Sequence, residues 1–261
     1  MLRTMAPTPE QISAAAGILA ARRRCGEQGP RLPASLRPAA IEDALAIQAA
    51  VSAQLGAAVG GWKCGLPVEG GVVLAPIYAG TIHTGNSPCS IWARGGQARV
   101  EPELAFILGR DLPARDAPYT PAEVDAAIVR THLALELIAS RYSDPADAGF
   151  AENLADGLLN QGLFLGPQVA SEAARTASRM ALRVTFETSE EIELDGRHPA
   201  HDPRAPLYWL AEFLRSTGQG LQAGQAVITG SYAGSFDLPL GQDIAIRYGE
   251  LGVLTVRFAQ K

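Results

Sequence analysis

RVEPELAFIL (residues 99–108) is an apolar run interrupted by two acids, Glu101 and Glu103. Its length and aliphatic content predict a β-strand. Strand side chains alternate between faces, so residues two apart point the same way. The two carboxylates would then stand about 7 Å apart on one face. They repel each other unless something positive lies between them. Pro102 separates them and has no backbone donor, which predicts an edge strand or a bulge. Bulges are common beside active sites.

LALELIAS (133–140) repeats the theme with Glu136 between apolar neighbours. A lone glutamate is rarely buried in such a run. Two readings are open. Each glutamate lies on the solvent face of its own strand, or the three converge. Converging carboxylates make an oxygen-rich site suited to Mg²⁺ or Mn²⁺, with positions left for water or substrate.

Outward from these strands, residues 8–25 predict a helix capped by Thr8, with Pro9 in its first turn. Residues 41–57 predict a second amphipathic helix. Trp62 to Leu66 reads as a short strand-like piece, followed by the glycine-rich loop VEGG. VVLAPIYAGTI (72–82) reads as a strand or strand pair interrupted by Pro76. Residues 121–132 read as a helix opened by Thr120-Pro121. Residues 157–166 read as a turn and strand, 181–194 as a half-buried hairpin, and 205–217 as an amphipathic helix. Strands follow at 226–229, 243–248 and 253–258, the last two joined by the turn GELG. Helices and strands mix without regular βαβ alternation, so the fold class is α+β. A small N-terminal helical lobe (1–71) precedes a β-rich domain (72–261).

The chain has 261 residues, is 47% hydrophobic and carries a net charge of −5. That is globular composition with no overall attraction for phosphate backbones, so nucleic acid is not an expected partner. The run Arg22-Arg23-Arg24 ends the first helix and offsets its dipole. Three cysteines, Cys25, Cys64 and Cys89, form neither a disulfide framework nor a zinc pattern. The opening MLRTMAPTPEQ has no apolar leader, and no apolar run is long enough to span a bilayer. A cytoplasmic location with no membrane partner is the expectation. Of the 22 basic residues only two are lysine, Lys63 and Lys261, against 20 arginines. Lysine can lose its proton in a desolvated site and arginine effectively cannot, which makes Lys63 a candidate for chemistry.

No G-x-G-x-x-G, Walker or G-x-S-x-G pattern is present, which removes dinucleotide, P-loop and serine-hydrolase readings. His198 and His201 lie in the polar segment GRHPAHDP and read as loop or lid residues; His83 and His132 read as structural. Arg141 follows the Glu136 stretch and could receive a second carboxylate of a diacid, or be solvated.

Six segments together resemble one family. GWKCGL (61–66), VEPELAF (100–106), ALELIASR (134–141), LADGLLNQGLFLG (154–166), LYWLAEFLRSTGQGLQAGQAVITGS (207–231) and YGELGVLTVRF (248–258) occur in its order. The family is that of the 2-keto-4-pentenoate hydratases and 4-oxalocrotonate decarboxylases, in the fumarylacetoacetase superfamily. The resemblance implies a mixed β-roll and a Mg²⁺ or Mn²⁺ ion held by Glu101, Glu103 and Glu136. It also implies Lys63 as the site lysine and Asp156 as a catalytic aspartate that orients water or Lys63. Thr229, Gly230 and Ser231 fall in its substrate-contacting segment. Pro67 stands where the family commonly has serine or threonine, and Gly157 where asparagine often follows the aspartate.

The implied activity is hydration of a 2-hydroxy-dienoate to a 4-hydroxy-2-oxo acid within aromatic-compound catabolism, by a homo-oligomer. The alternatives are decarboxylation of a 2-oxo-enedioate, C–C hydrolysis of an acylpyruvate, and a non-catalytic partner subunit. In each enzymatic reading the substrate is a small 2-oxo acid. Its carboxylate and keto oxygen can chelate one metal, which stabilises the enolate.

Overall fold

The structure, a computed structural model, describes residues 6–69, 71–85 and 87–261. The first five residues of the opening segment read above, and Gly70 of the VEGG loop, lie outside them.

Two helices open the described chain, α1 (Pro9–Cys25) and α2 (Ile41–Leu55). Thr8 caps α1 in a capping box with Gln11, as the sequence predicts. Strand β1 (Val59–Cys64) follows, then β2 (Leu74–Tyr78), β3 (Ile82–Thr84), β4 (Cys89–Ile91) and the long β5 (Gln97–Leu108). Next come α3 (Pro121–Asp125), β6 (Ile128–Ile138), α4 (Phe150–Ala155), β7 (Asn160–Val169), α5 (Ser171–Arg175), β8 (Arg179–Phe186) and β9 (Glu191–Arg197). Helix α6 (Ala205–Ser216) and strands β10 (Ala226–Ile228), β11 (Phe236–Pro239), β12 (Asp243–Tyr248) and β13 (Gly252–Gln260) complete the order.

An eight-stranded sheet runs β2-β1-β10-β5-β6-β7-β3, with β11 also paired to β5. A five-stranded sheet runs β4-β13-β12-β8-β9. Residues of both sheets meet in one core, with Phe106, Leu133 and Leu135 from the first and Tyr248, Leu254 and Phe258 from the second. The buried Tyr248 hydroxyl donates to Ala134 O at 2.7 Å and ties the sheets together.

Four expectations change. β5 is an interior strand and its pairing with β6 is unbroken from Arg99 to Ile107, so Pro102 marks neither an edge nor a bulge. On the other side, β11 pairs residues 97–100 and β10 pairs residues 105–107. Pro102 occupies the interval between them, where no ladder bond needs its missing N–H, and its carbonyl accepts from Tyr232 N at 2.9 Å. Pro76 does not interrupt β2, because β2 is an edge strand. The helix expected over 121–132 ends at Asp125, since the β-branched run from Ile128 joins the sheet. Finally, β1 lies inside the large sheet between β2 and β10, so the helical lobe expected to reach residue 71 ends before Val59.

The lobe is fastened by its arginines as well as by its apolar face. Arg22 Nη1 donates to Pro30 O and Arg141 O, and Arg23 donates to Asp156 O and Asn160 O. The basic run therefore does more than offset the helix dipole. It ties α1 to the segment around Asp156.

Candidate metal and substrate site

Pairing register decides which side chains meet. Glu101 on β5 lies directly across from Glu136 on β6, and Glu103 lies across from Ala134, whose small side chain leaves room beside it. Lys63 on β1 lies across from Ile228 on β10, which in turn lies across from Ala105 on β5. Side chains of directly paired residues stand on one face of a sheet. The three glutamates and Lys63 therefore share a face that continues in a small apolar cluster of Ala105, Ala134, Ala226 and Ile228.

One oxygen from each of Glu101, Glu103 and Glu136 lies within 4.8 Å of the others. Glu103 and Glu136 are buried and Glu101 is half-buried. Like charges opposed across a sheet are destabilising, so something positive must offset them. Lys63 does so in part. Its Nζ lies 2.8 Å from Glu136 Oε1 and donates to Leu158 O at 3.0 Å. Asn160 Nδ2 donates to the same Glu136 oxygen at 2.9 Å. Gly230 N donates to Glu103 Oε2 at 2.6 Å.

Glu136 Oε2 is buried and has no hydrogen-bond partner. An unsatisfied buried acceptor costs about 1–3 kcal/mol, and more when charged. Three clustered carboxylates, one of which keeps a buried oxygen without a partner, fit a hard divalent cation such as Mg²⁺ or Mn²⁺.

Protonation follows the same geometry. Burial, reinforced by Glu136, pushes the Glu101 carboxyl above its ordinary range, against the pull of Lys63. Burial and Glu136 push Glu103 much further up, partly offset by the Gly230 hydrogen bond. For Lys63, burial acts downward, but Glu136, Glu101 and Glu103 outweigh it and hold the ammonium above its usual value. Cys64 beside it is buried, which drives its thiol well up and leaves it an inert neighbour.

The carboxylates and Lys63 line a cavity of about 390 Å³, as do Thr229 and Gly230. Arg141, Asp156 and Ser231 are not among its lining residues. Arg141 Nε and Asp156 Oδ1 form a buried ion pair at 2.6 Å, and Arg141 N donates to Asp156 Oδ2. Both side chains are buried and paired with each other outside this cavity, so neither the carboxylate-receiving role expected of Arg141 nor the water- or Lys63-orienting role expected of Asp156 has a contact here that supports it. Ser231 Oγ donates to Gly234 O and accepts from Ala233 N, which is turn chemistry.

The pair still bears on the site through the turn 156–160. Leu158 and Leu159 have φ of 49° and 66°, a left-handed conformation costing about 1–2 kcal/mol per non-glycine residue. Gly157, at φ 85°, precedes them; a Cβ there would lie 3.2 Å from Arg23 Nη2. Arg23 and Arg141 each donate to the carbonyls of Asp156 and Asn160 and hold this turn. The turn presents Leu158 O to Lys63 and the Asn160 amide to Glu136. Such strained residues cluster at functional sites. Asn160 carried no sequence signal beyond its place in the D-G-L-L-N segment.

His198 was also missed as a contributor. It lies in the loop after β9, as expected, but its ring is buried, and burial lowers its pKa to about 4. Its Nδ1 accepts from Ala200 N, which leaves the proton on Nε2, 3.3 Å from Thr229 Oγ1. Pro199 and Ala200, just after it, line the cavity.

The chain belongs to the fumarylacetoacetate (FAA) hydrolase family, whose C-terminal domain description matches residues 74–259. Relatives in this family are hydratases or decarboxylases. The chain is 30% identical over 168 residues to 2-keto-4-pentenoate hydratase 1 of Dechloromonas aromatica, covering 62% of this chain and 61% of that protein. It is 28% identical over 159 residues to 4-oxalocrotonate decarboxylase of a Pseudomonas species, covering 60% and 59%. The matched segments thus span about three-fifths of these relatives. The fold is that of 4-oxalocrotonate decarboxylase from Pseudomonas putida G7, solved with magnesium and adipate. That likeness has a TM-score of 0.77 at 21% identity and covers 98% of this chain and 100% of the other. Among the described residues no helix is long and apolar enough to cross a membrane.

Proposed function

We propose that the chain is a divalent-metal-dependent hydratase that adds water to a 2-hydroxy-dienoate of the 2-hydroxypenta-2,4-dienoate type, yielding a 4-hydroxy-2-oxo acid. The observation that carries this reading is the buried trio of Glu101, Glu103 and Glu136, with an orphaned oxygen on Glu136 and Lys63 alongside. Glu101, Glu103 and Glu136 would hold Mg²⁺ or Mn²⁺, which supplies Lewis-acid polarisation of a 2-oxo acid's carboxylate and keto oxygens.

The chain's own groups supply the rest. Lys63 Nζ, kept protonated by the carboxylates, donates a hydrogen bond to the anionic substrate and holds a proton at the site. The Leu158 carbonyl and Glu136 fix the direction of that ammonium group. Thr229, oriented by His198, and Gly230 form the wall against which the substrate lies. In the net reaction the enol proton leaves oxygen and C5 gains a proton. Water then contributes its oxygen to C4 and C3 gains a proton, which balances one water consumed.

Decarboxylation of a 2-oxo-enedioate is the second reading, supported by the decarboxylase relatives and by the enolate common to both reactions. A paired assay separates them. With Mg²⁺ or Mn²⁺, the purified protein is given 2-hydroxypenta-2,4-dienoate and, separately, 2-oxohex-3-enedioate. The expected result is metal-dependent loss of the diene absorbance without CO₂, abolished in Glu103→Ala. CO₂ release from the diacid, with the dienoate untouched, moves the assignment to decarboxylase.

A further inference from the structure

The cavity is lined by two kinds of surface. One is charged, three carboxylates and Lys63. The other is apolar: Leu66, Pro67, Val68 and Val73 of the β1–β2 connection, with Pro199 and Ala200 before α6, where Pro199 lies against Gly230 beside Glu103. Lys63 is the only cation among the described residues lining the cavity, and its bonds to Glu136 and Leu158 O hold it beside the carboxylates. The connecting sequence CGLPVEGGVV (64–73) contains no lysine, arginine or histidine, and its single charge is the exposed Glu69.

The mouth is apolar where solvent would favour polar groups. Leu66 is 41% exposed and Val68 55%. Phe150, another exposed large hydrophobic residue, packs against Gly71 of the same loop. Val68 and Gly71 exchange two backbone hydrogen bonds that close the loop and present its apolar side chains. Two of the five exposed large hydrophobic residues among those described, Leu66 and Val68, therefore line this cavity. Clustered exposed apolar side chains rimming a cavity mark a ligand surface.

We infer that this site takes 2-oxo monoacids with an apolar tail and discriminates against 2-oxo diacids, with Leu66 and Val68 as the specificity-determining side chains. The inference rests on the proposed function, in which the 2-oxo acid end faces the carboxylate trio. A tail then leaves water against Leu66 and Val68, the exposed apolar side chains of the lining. A second carboxylate would face the same surface with no cation to meet it and with Glu69 nearby in the chain, an uncompensated charge that specificity by exclusion exploits.

Binding of unreactive ligands tests this without relying on turnover. The Mn²⁺-loaded protein is titrated calorimetrically with oxalate, the smallest ligand offering the same two-oxygen chelate. It is then titrated with 2-oxobutanoate, 2-oxopentanoate, 2-oxohexanoate and 2-oxohexanedioate. The expected result is a gain of about fourfold in affinity per added methylene. The diacid should bind at least about tenfold more weakly than 2-oxohexanoate, as expected for an unpaired charge on an apolar wall. Leu66→Arg and Val68→Lys, at exposed positions, should raise diacid affinity and reverse that order while oxalate affinity stays within about twofold. Diacid binding as tight as 2-oxohexanoate, or a flat response to chain length with oxalate still bound, overturns the inference and leaves the proposed function standing. Failure to bind oxalate at all overturns both.

Discussion

Two clusters of buried charge flank the turn 156–160, and they are opposites. The carboxylate trio holds three acids against one lysine and leaves an oxygen of Glu136 without a partner. The Arg141–Asp156 pair is saturated: both Asp156 oxygens accept hydrogen bonds, and Arg141 donates to two further carbonyls. One cluster is left incomplete and opens on a cavity; the other is complete and closed. Buried charge alone therefore does not mark a site. Unmet hydrogen-bonding capacity beside open space does.

The comparison is tested most severely by removing one member from the closed cluster. Asp156→Ala should cost about 3–5 kcal/mol of stability, because it leaves Arg141 buried and unpaired. Denaturant unfolding measures it, and a loss below about 1 kcal/mol would mean that the pair is not the structural lock described here. In the open cluster the loss should be of ligand rather than of fold. Glu101→Gln should weaken Mg²⁺ or Mn²⁺ binding at least about a hundredfold, beyond the effect usual for outer partners of a ligand. The metal-free protein should be no less stable than the parent, since a repulsive pair with Glu136 is relieved. A variant that unfolds instead would place Glu101 with the structural charges.

Asn160→Ala tests the bridge between the clusters. It removes the amide that orients Glu136, and metal affinity should fall about 10- to 100-fold. His198 gives a smaller, pH-dependent signature. Its folded pKa, about 4, lies below the ordinary value of 6.5, so the neutral ring favours folding. That contribution is present above pH 6.5 and is lost as pH falls from there through about 4. His198→Gln should therefore show a smaller drop in unfolding midpoint between pH 7 and pH 5 than the parent; an unchanged drop would remove His198 from the account. The smallest effect is expected at Leu159→Gly. Relief of its left-handed backbone offsets the lost side chain, and stability should change by less than about 1 kcal/mol.

Much of the open cluster was legible in the sequence because it depends on local rules. The spacing of Glu101 and Glu103 places them on one face of any strand, and their apolar surroundings make solvent exposure costly. The scarcity of lysine singled out Lys63 before any contact was known. The closed cluster was not legible. Asp156 and Arg141 are a plausible acid and a plausible cation in segments of the right family pattern, and nothing local tells a buried pair from a working one. His198 failed in the other direction, because a polar loop sequence concealed a ring packed behind Thr229.

The sequence by itself determined most of the longer strands, the Thr8 cap of α1, the shared face of Glu101 and Glu103 and the family, since these follow from periodicity, capping chemistry and motif order along the chain. Only the tertiary structure decided that Glu136 stands across from Glu101, that Pro102 sits in the interval between β11 and β10, and that Arg141 locks Asp156 away from the cavity. It also decided that Leu66, Pro67, Val68 and Val73 line the cavity that holds the carboxylates. Those outcomes depend on strand register and on segments distant in sequence meeting in space, which no local pattern encodes.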